Sequence, residues 1–323
     1  MAMTRPVRVA AVQASPVFLD RAATTDKVVA AISEAGANGA ELVVLPETFI
    51  PCYPTWIWTA DSLVVGAELY VRLCEQAVER GSETVSQLQQ AAREAGAVVA
   101  CGINERDDGT LYNSQVLIDA EGEVMGYRRK LMPTCPERTV WGRGDSRDIR
   151  VWDTPLGTLG ALICYEHTLT PAKAALVGLG EEIHIAMWPS FPEQGDLLSV
   201  ETIETAMRAY AWETQTFVIH ASGFQDGSFT RANREAQGGD SASPLIDAMA
   251  PMMAGTTGIV GPNGRHLAGP IRRGEEIVYA DLDPRERLRA KYLVDAAGHY
   301  ARPDAVSVVI HDHDPPLIST ISE

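Results

Sequence analysis

Cys164 ends the apolar run TLGALIC and is followed by Tyr165, Glu166 and His167 ahead of a helical pattern. A thiol at the end of a buried strand and the start of a helix is rigidly held. It also lies near backbone N–H groups that favour a thiolate, the form of cysteine that attacks carbon. Taken alone, the position reads more readily as a small buried apolar residue, the commoner fate of cysteine. Cys52, Cys74, Cys101 and Cys135 lack the strand-to-helix setting and read as packing residues. Glu47 follows ELVVLP, just past the end of a core strand, where layered α/β proteins place their ligands. Partial burial there raises a carboxyl pKa and suits it to proton transfer, although taken alone the position reads more readily as a helix cap or a solvated turn residue. Lys130 ends EVMGYRRK in front of Leu131-Met132-Pro133, where an ammonium can stabilise a developing anion or simply face solvent. Glu137, beside Arg138 in the loop PTCPERTVWGRGD, can position water or form a loop ion pair.

Other chemistries find less support. Cys164, Glu166 and His167 are near neighbours, but no zinc-type spacing supplies further ligands. His311 and His313 in HDHD would share a strand face, but an exposed tail explains them better. The chain has no G-x-x-x-x-G-K phosphate loop, no dinucleotide fingerprint and no G-x-S-x-G nucleophile turn. The reading is therefore no metal and no organic cofactor.

The elements that must hold these residues alternate along the chain. Apolar runs predict strands at 7–13, 41–45, 97–103, 112–119, 123–128, 149–153, 158–163, 183–187, 216–221, 256–261 and 276–282. Helical spacing predicts helices at 22–37, 62–80, 83–95, 170–179 and 197–213. This mixture predicts a layered α/β fold. No linker or internal repeat divides the chain, so one domain is expected over 4–304, with a tail at 305–323 placed at an oligomer interface. Residues 225–255, rich in Gly, Ser and Pro, read as a long loop.

Of the 323 residues 46% are hydrophobic, enough for a sizeable core. A net charge of −16 disfavours nucleic acid and anionic membranes as partners. No apolar stretch of about 18 residues exists to span a bilayer. Five widely spaced cysteines do not make a secreted disulfide framework, and with no apolar signal core the simplest location is the cytoplasm.

LPETF around Glu47, RRKLMPT around Lys130 and ALICYEH around Cys164, in that order, resemble the nitrilase superfamily of carbon–nitrogen hydrolases. The likeness runs to GHYARPD at 298–304. YPTWIW (53–58) and PERTVWGRGD (136–145) resemble the nitrilase branch, and MWPSF around Trp188 resembles arylacetonitrilases. Cys52 stands where a glycine is usual, Tyr165 replaces a commoner Trp, and AGTTGIVGP lacks a glycine run. The resemblance implies an α-β-β-α sandwich that pairs through the helices after Cys164 and near 197–213 into an α-β-β-α-α-β-β-α dimer, and often into larger homo-oligomers or spirals. It implies Glu47, Lys130, Cys164 and Glu137 as the catalytic set. Tyr53, Trp56, Tyr165, His167 and Trp188 would contact substrate, with Glu166 and His167 supporting the nucleophile's loop. The implied reaction converts a small-molecule nitrile, arylacetonitrile or broader, to its acid and ammonia. Hydrolysis of amides or carbamoyl groups, breakdown of cyanide, and a silent filament-forming scaffold are the alternatives.

Overall fold

The computed structural model describes residues 2–60, 63–195 and 198–311. The first sheet is built from β1 (Val7–Gln13), β2 (Leu42–Val44), β3 (Val98–Asp107), β4 (Thr110–Ile118) and β5 (Val124–Arg129), with the short β6 (Trp141–Gly142) paired to β4. The second begins with β7 (Val151–Thr154), β8 (Gly157–Ile163) and β9 (Ile183–Trp188). After a short β10 (Phe191–Pro192) it continues through β11 (Phe217–Ser222). β12 (Met253–Ala254) pairs with β10, outside both large sheets. β13 (Thr257–Val260) and β14 (His266–Ile271) complete the second sheet, and β15 (Glu276–Leu282) returns to the edge of the first. The strand orders are β15-β1-β2-β3-β4-β5 and β14-β13-β11-β9-β8-β7.

Each central strand is apolar on both faces because each sheet is covered on both sides. Alternate residues Val7, Val9 and Ala11 of β1, with Leu42, Val44 and Ala100, face Leu159, Ala161, Ile183, Ile185, Phe217 and Ile219 of the other sheet. The intervening residues Ala10, Val12, Val43, Val99 and Cys101 meet Val28, Ile32, Val85, Leu88 and Ala92. Those five residues belong to α1 (Arg21–Ala37) and, beyond α2 (Val65–Gln76), to α3 (Glu83–Ala95). On the far side Leu162, Ala186 and Val218 meet Leu176, Ile203, Met207 and Tyr210 of α4 (Thr170–Gly178) and α5 (Val200–Thr214). The layers are thus α-β-β-α, as the resemblance implied.

Most expected strands and helices lie where the apolar pattern put them. The loop expected over 225–255 is corrected: it holds α6 (Gly227–Ala236) and α7 (Pro244–Met249). Asp226 caps α6 by accepting from the Phe229 amide at 2.7 Å, but the helix buries only Phe229 and Asn233, too few to make a helical apolar stripe. α8 (Pro284–Leu293), which the apolar pattern did not predict, buries no residue at all. His313 and the tail from 312 onward lie outside the described residues, as do positions 62 and 197 at the starts of two expected helices.

Candidate active site

Glu47 and Lys130 leave the ends of β2 and β5 in the first sheet, while Cys164 leaves the end of β8 in the second. Glu137 sits in a 3₁₀ turn, Cys135–Thr139, just beyond Lys130. The Glu47 amide donates to the Trp188 carbonyl at 3.4 Å, tying the two sheets together at this end. Gly102 of β3 makes the approach possible: a Cβ there would lie 2.1 Å from the Pro46 carbonyl oxygen and 2.6 Å from the Thr48 nitrogen.

Three non-glycine residues at these turns hold left-handed backbone: Thr48 (φ 41°), Cys135 (φ 51°) and Cys164 (φ 54°). The left-handed helical region costs an L-residue roughly 1–2 kcal/mol. It recurs at the three turns that carry Glu47, Glu137 and the thiol. Packing holds that strain, as it does where side-chain aim matters more than local comfort.

All four side chains are buried. Lys130 Nζ donates to Glu47 Oε1 at 2.9 Å and to Glu137 Oε2 at 2.6 Å. Asn113 Nδ2 donates to the same Glu47 oxygen at 2.6 Å, while the Thr134 amide and the Tyr53 hydroxyl hold the two oxygens of Glu137. Ligating atoms of Glu47, Glu137 and Cys164 lie within 4.8 Å of one another. Such a cluster can attract a metal, but the Lys130 ammonium already bridges its two carboxylates. Glu47 Oε2 is buried with no hydrogen-bond partner among the described residues. One oxygen of the carboxylate is anchored and the other is free.

Burial raises the Glu47 pKa to about 7; Glu137 adds to the rise, while Lys130 and the Asn113 hydrogen bond oppose it. A carboxylate poised there can both take and return a proton near neutrality. Burial also pushes the Cys164 thiol well above its usual range, and the Glu47 and Glu137 charges add to this against Lys130. The resting site therefore holds a thiol beside a base. Burial works against the Lys130 ammonium, yet Cys164, Glu47 and Glu137 outweigh it and hold its pKa well above the ordinary lysine value. The backbone N–H of Tyr165 lies against the Cys164 sulfur and favours the thiolate.

Glu166 locks this turn. Its carboxylate accepts from Arg128 through both guanidinium nitrogens (2.7 and 2.9 Å) and from the Ile163 and Leu131 amides (2.6 Å each). A fully buried, bidentate ion pair with every carboxylate oxygen satisfied thus joins the strand end of Cys164 to that of Lys130.

A small cavity reaches Glu47 between Phe49, Tyr53, Ser190 and Phe229. It shares Tyr53, Thr55, Pro189, Ser190 and Gln225 with an outer cavity whose further walls are Trp58, Phe191, Ile246, Met249 and Met253. Of the expected substrate contacts, Tyr53 lines both. Tyr165 packs at a tilt against Phe191, ring centroids 6.1 Å apart. Trp56 is buried with Phe18, Leu69 and Leu73 and lines a separate cleft beside α2 instead. Trp188 stacks on His167 at 5.1 Å with its indole N–H facing the Met207 sulfur, and neither ring lines the two cavities just described. Asn113, Trp58 and Arg128 were not singled out from sequence. Asn113 carried a usable signal, a polar residue inside the apolar run of β4, whereas Trp58 differs from Trp56 only in which way the turn Thr55–Trp58 faces.

The chain matches the carbon-nitrogen hydrolase family over residues 8–292. It is 41% identical to an aliphatic nitrilase of Rhodococcus rhodochrous, across 99% of this chain and 87% of that protein. It is 37% identical to an arylacetonitrilase of Hypocrea virens, across 97% and 94%. Among solved structures it resembles Nit3 of Saccharomyces cerevisiae, a member of branch 10 of the nitrilase superfamily, with a TM-score of 0.67 at 20% identity, covering 90% of this chain and 95% of that one. An amidase of the same superfamily from Nesterenkonia gives a TM-score of 0.64 at 19% identity, covering 88% and 94%.

Proposed function

Because the chain belongs to the carbon-nitrogen hydrolase family, we propose that it is a nitrilase, converting an organic nitrile and two waters to a carboxylic acid and ammonia. The observation that carries the chemistry is the free Oε2 of Glu47, in a carboxyl titrating at about 7, in the same buried cluster as the Cys164 sulfur. Relatives named as nitrilases at 37–41% identity support nitriles over other carbon–nitrogen substrates.

Glu47 Oε2 takes the thiol proton as Cys164 Sγ bonds to the nitrile carbon. One C≡N π pair moves to nitrogen, which takes up the proton and becomes a thioimidate. Lys130 and the Tyr165 N–H stabilise the charge that develops on nitrogen. Water, deprotonated by Glu47 and oriented by Glu137, adds to the thioimidate carbon. The C–N bond then breaks with the amine protonated, ammonia leaves, and a thioester remains. A second water cleaves that thioester, releasing the acid and returning the proton to sulfur. No step calls on a metal or organic cofactor.

The apolar outer walls Trp58, Phe191, Ile246 and Met253 support a nitrile carrying an aryl or extended aliphatic group. The working unit is one domain over 4–304, with copies pairing through α4 and α5 into a homo-dimer and the tail at 305–323 serving larger assemblies. None of the helices described is long and apolar enough to cross a membrane, and the five cysteines are free, which suits a reducing cytoplasm. Incubation with arylacetonitriles, aliphatic dinitriles, cyanide and primary amides, followed by ammonia release and product mass, tests the reading. Acid from the nitriles is the expected result. Turnover of amides or cyanide with the organic nitriles untouched would overturn it.

A further inference from the structure

Behind the nucleophile's turn runs a chain of buried groups that the reaction above does not use. His167 Nδ1 lies 2.6 Å from the Cys164 carbonyl oxygen. His167 Nε2 lies 2.9 Å from His184 Nε2, and His184 Nδ1 lies 2.6 Å from Glu181 Oε1. The Tyr210 hydroxyl donates to Glu181 Oε2 at 2.6 Å, and its ring stacks on His184 at 3.8 Å. Space for the carboxyl is made by Gly160 of β8, where a Cβ would stand 1.8 Å from Glu181 Oε1.

The end of the chain fixes its direction. A carbonyl oxygen only accepts, so His167 must donate through Nδ1, and its neutral ring then accepts at Nε2. His184 must donate through Nε2 and, if neutral, accept at Nδ1. Three links need three protons. Two neutral imidazoles supply two, and the third must come from Glu181 as a carboxylic acid. We propose that Glu181 is a positioning residue for the nucleophile, its carboxyl proton completing the chain through His184 and His167 that holds the Cys164 carbonyl. Without that proton His184 turns to donate toward the Glu181 carboxylate. His167 then has to donate through Nε2, and two lone pairs meet at the Cys164 carbonyl. The turn holding the thiol at φ 54° loses its inner hydrogen bond.

The surroundings place the proton on Glu181. Burial holds His184 neutral, and the Arg128 and Lys173 charges reinforce it against the Glu166 carboxylate. His167 is held neutral by burial and by His184, with Arg128 and Lys173 again opposing a cation. Burial raises Glu181 to about 8, against the Tyr210 hydrogen bond and the Arg287 charge from α8. Arg287 is itself paired to Glu182 and donates to the Glu181 carbonyl at 3.0 Å, and Lys173 is paired to Glu213. His220 of β11, which feels His167, is held neutral by burial at a pKa of about 3.

The inference rests on Cys164 being the nucleophile, and the test has one arm that needs no turnover. Glu181→Gln keeps an N–H donor toward His184 at every pH. Wild-type kcat on an accepted nitrile should fall about tenfold per pH unit above a break near 8, while the variant should stay level through that break. Tyr210→Phe, which removes a donor that favours the carboxylate, should move the break upward by about one pH unit. Solid-state ¹⁵N NMR of histidine-labelled enzyme, recorded either side of the break, should show two imidazoles exchanging Nδ1 and Nε2 protonation in the wild type and none in Glu181→Gln. If the exchange is present in both proteins or absent from both, or if Tyr210→Phe leaves the break unmoved, the proposal is wrong. Tautomer exchange with no nitrile turnover would sink the nitrilase reading and leave the chain standing.

Discussion

Replacing Glu47 by Gln separates two effects of one carboxylate. The amide oxygen can keep the hydrogen bonds from Lys130 and Asn113 at Oε1, and the amide nitrogen takes the place of the unpartnered Oε2, so the fold should survive. The first effect is loss of the base. General-base assistance contributes roughly 10²–10⁴ in rate, so kcat on phenylacetonitrile should fall by that factor, about 2.7–5.4 kcal/mol of barrier. The second effect runs the other way. Removing a negative charge within 4.8 Å of the Cys164 sulfur, at an effective dielectric of about 20, relieves about 3.5 kcal/mol of repulsion against the thiolate. That corresponds to a fall of roughly 2.5 pKa units for the thiol. Iodoacetamide labelling of Cys164, followed by mass against pH, should therefore begin at lower pH in the variant while nitrile turnover collapses. A loss of turnover below tenfold, or a labelling curve that does not move, would refute the assignment of base and nucleophile.

Four other outcomes are expected. Because burial raises Glu47 from 4.5 to about 7, its protonated form cannot accept the thiol proton, and kcat/KM should fall tenfold per unit below about pH 7. Its contribution to stability has the opposite sign: a raised folded-state pKa gives stability that is full below 4.5 and lost as pH rises through 7, so Tm against pH should flatten over that window in Glu47→Gln. Arg128→Met should cost about 3–5 kcal/mol in urea unfolding, because it strands the buried Glu166 carboxylate, and Glu166→Gln on top should recover part of it; a cost under about 1 kcal/mol would show that the pair is not holding the turn. Phe191→Ala should change the ranking of nitriles by kcat/KM, whereas Trp188→Ala, which removes the ring stacked on His167, should lower every substrate by a similar factor; the reverse pattern would put Trp188 on the substrate wall.

The three positions that end apolar runs could be read without the fold. Leu42–Val44 is stopped by Pro46 ahead of Glu47, the β5 run ends at Lys130, and TLGALI gives way to Cys164 where the helical pattern begins. A strand end is a local property, set by where apolar spacing stops and a breaker follows, so neighbouring residues are enough to show it. The same holds for the layered fold, since strands apolar on both faces need cover on both sides. What chain neighbours could not show was pairing across distance. Asn113 reaches Glu47 from 66 positions away, Tyr53 reaches Glu137 from 84, and Arg128 reaches Glu166 from 38. Nor could they show that Trp58 rather than Trp56 faces the outer cavity, because both lie in one tight turn and only the packing of Phe18 and Leu69 selects the inward ring. α6 and α8 were hidden for a related reason: they bury almost nothing, so they leave little apolar period to read. The poised carboxyl of Glu47 and the proton count along Glu181, His184 and His167 depend on burial and on groups brought from both sheets and the outer helices. Desolvation exists only once the chain has closed around them.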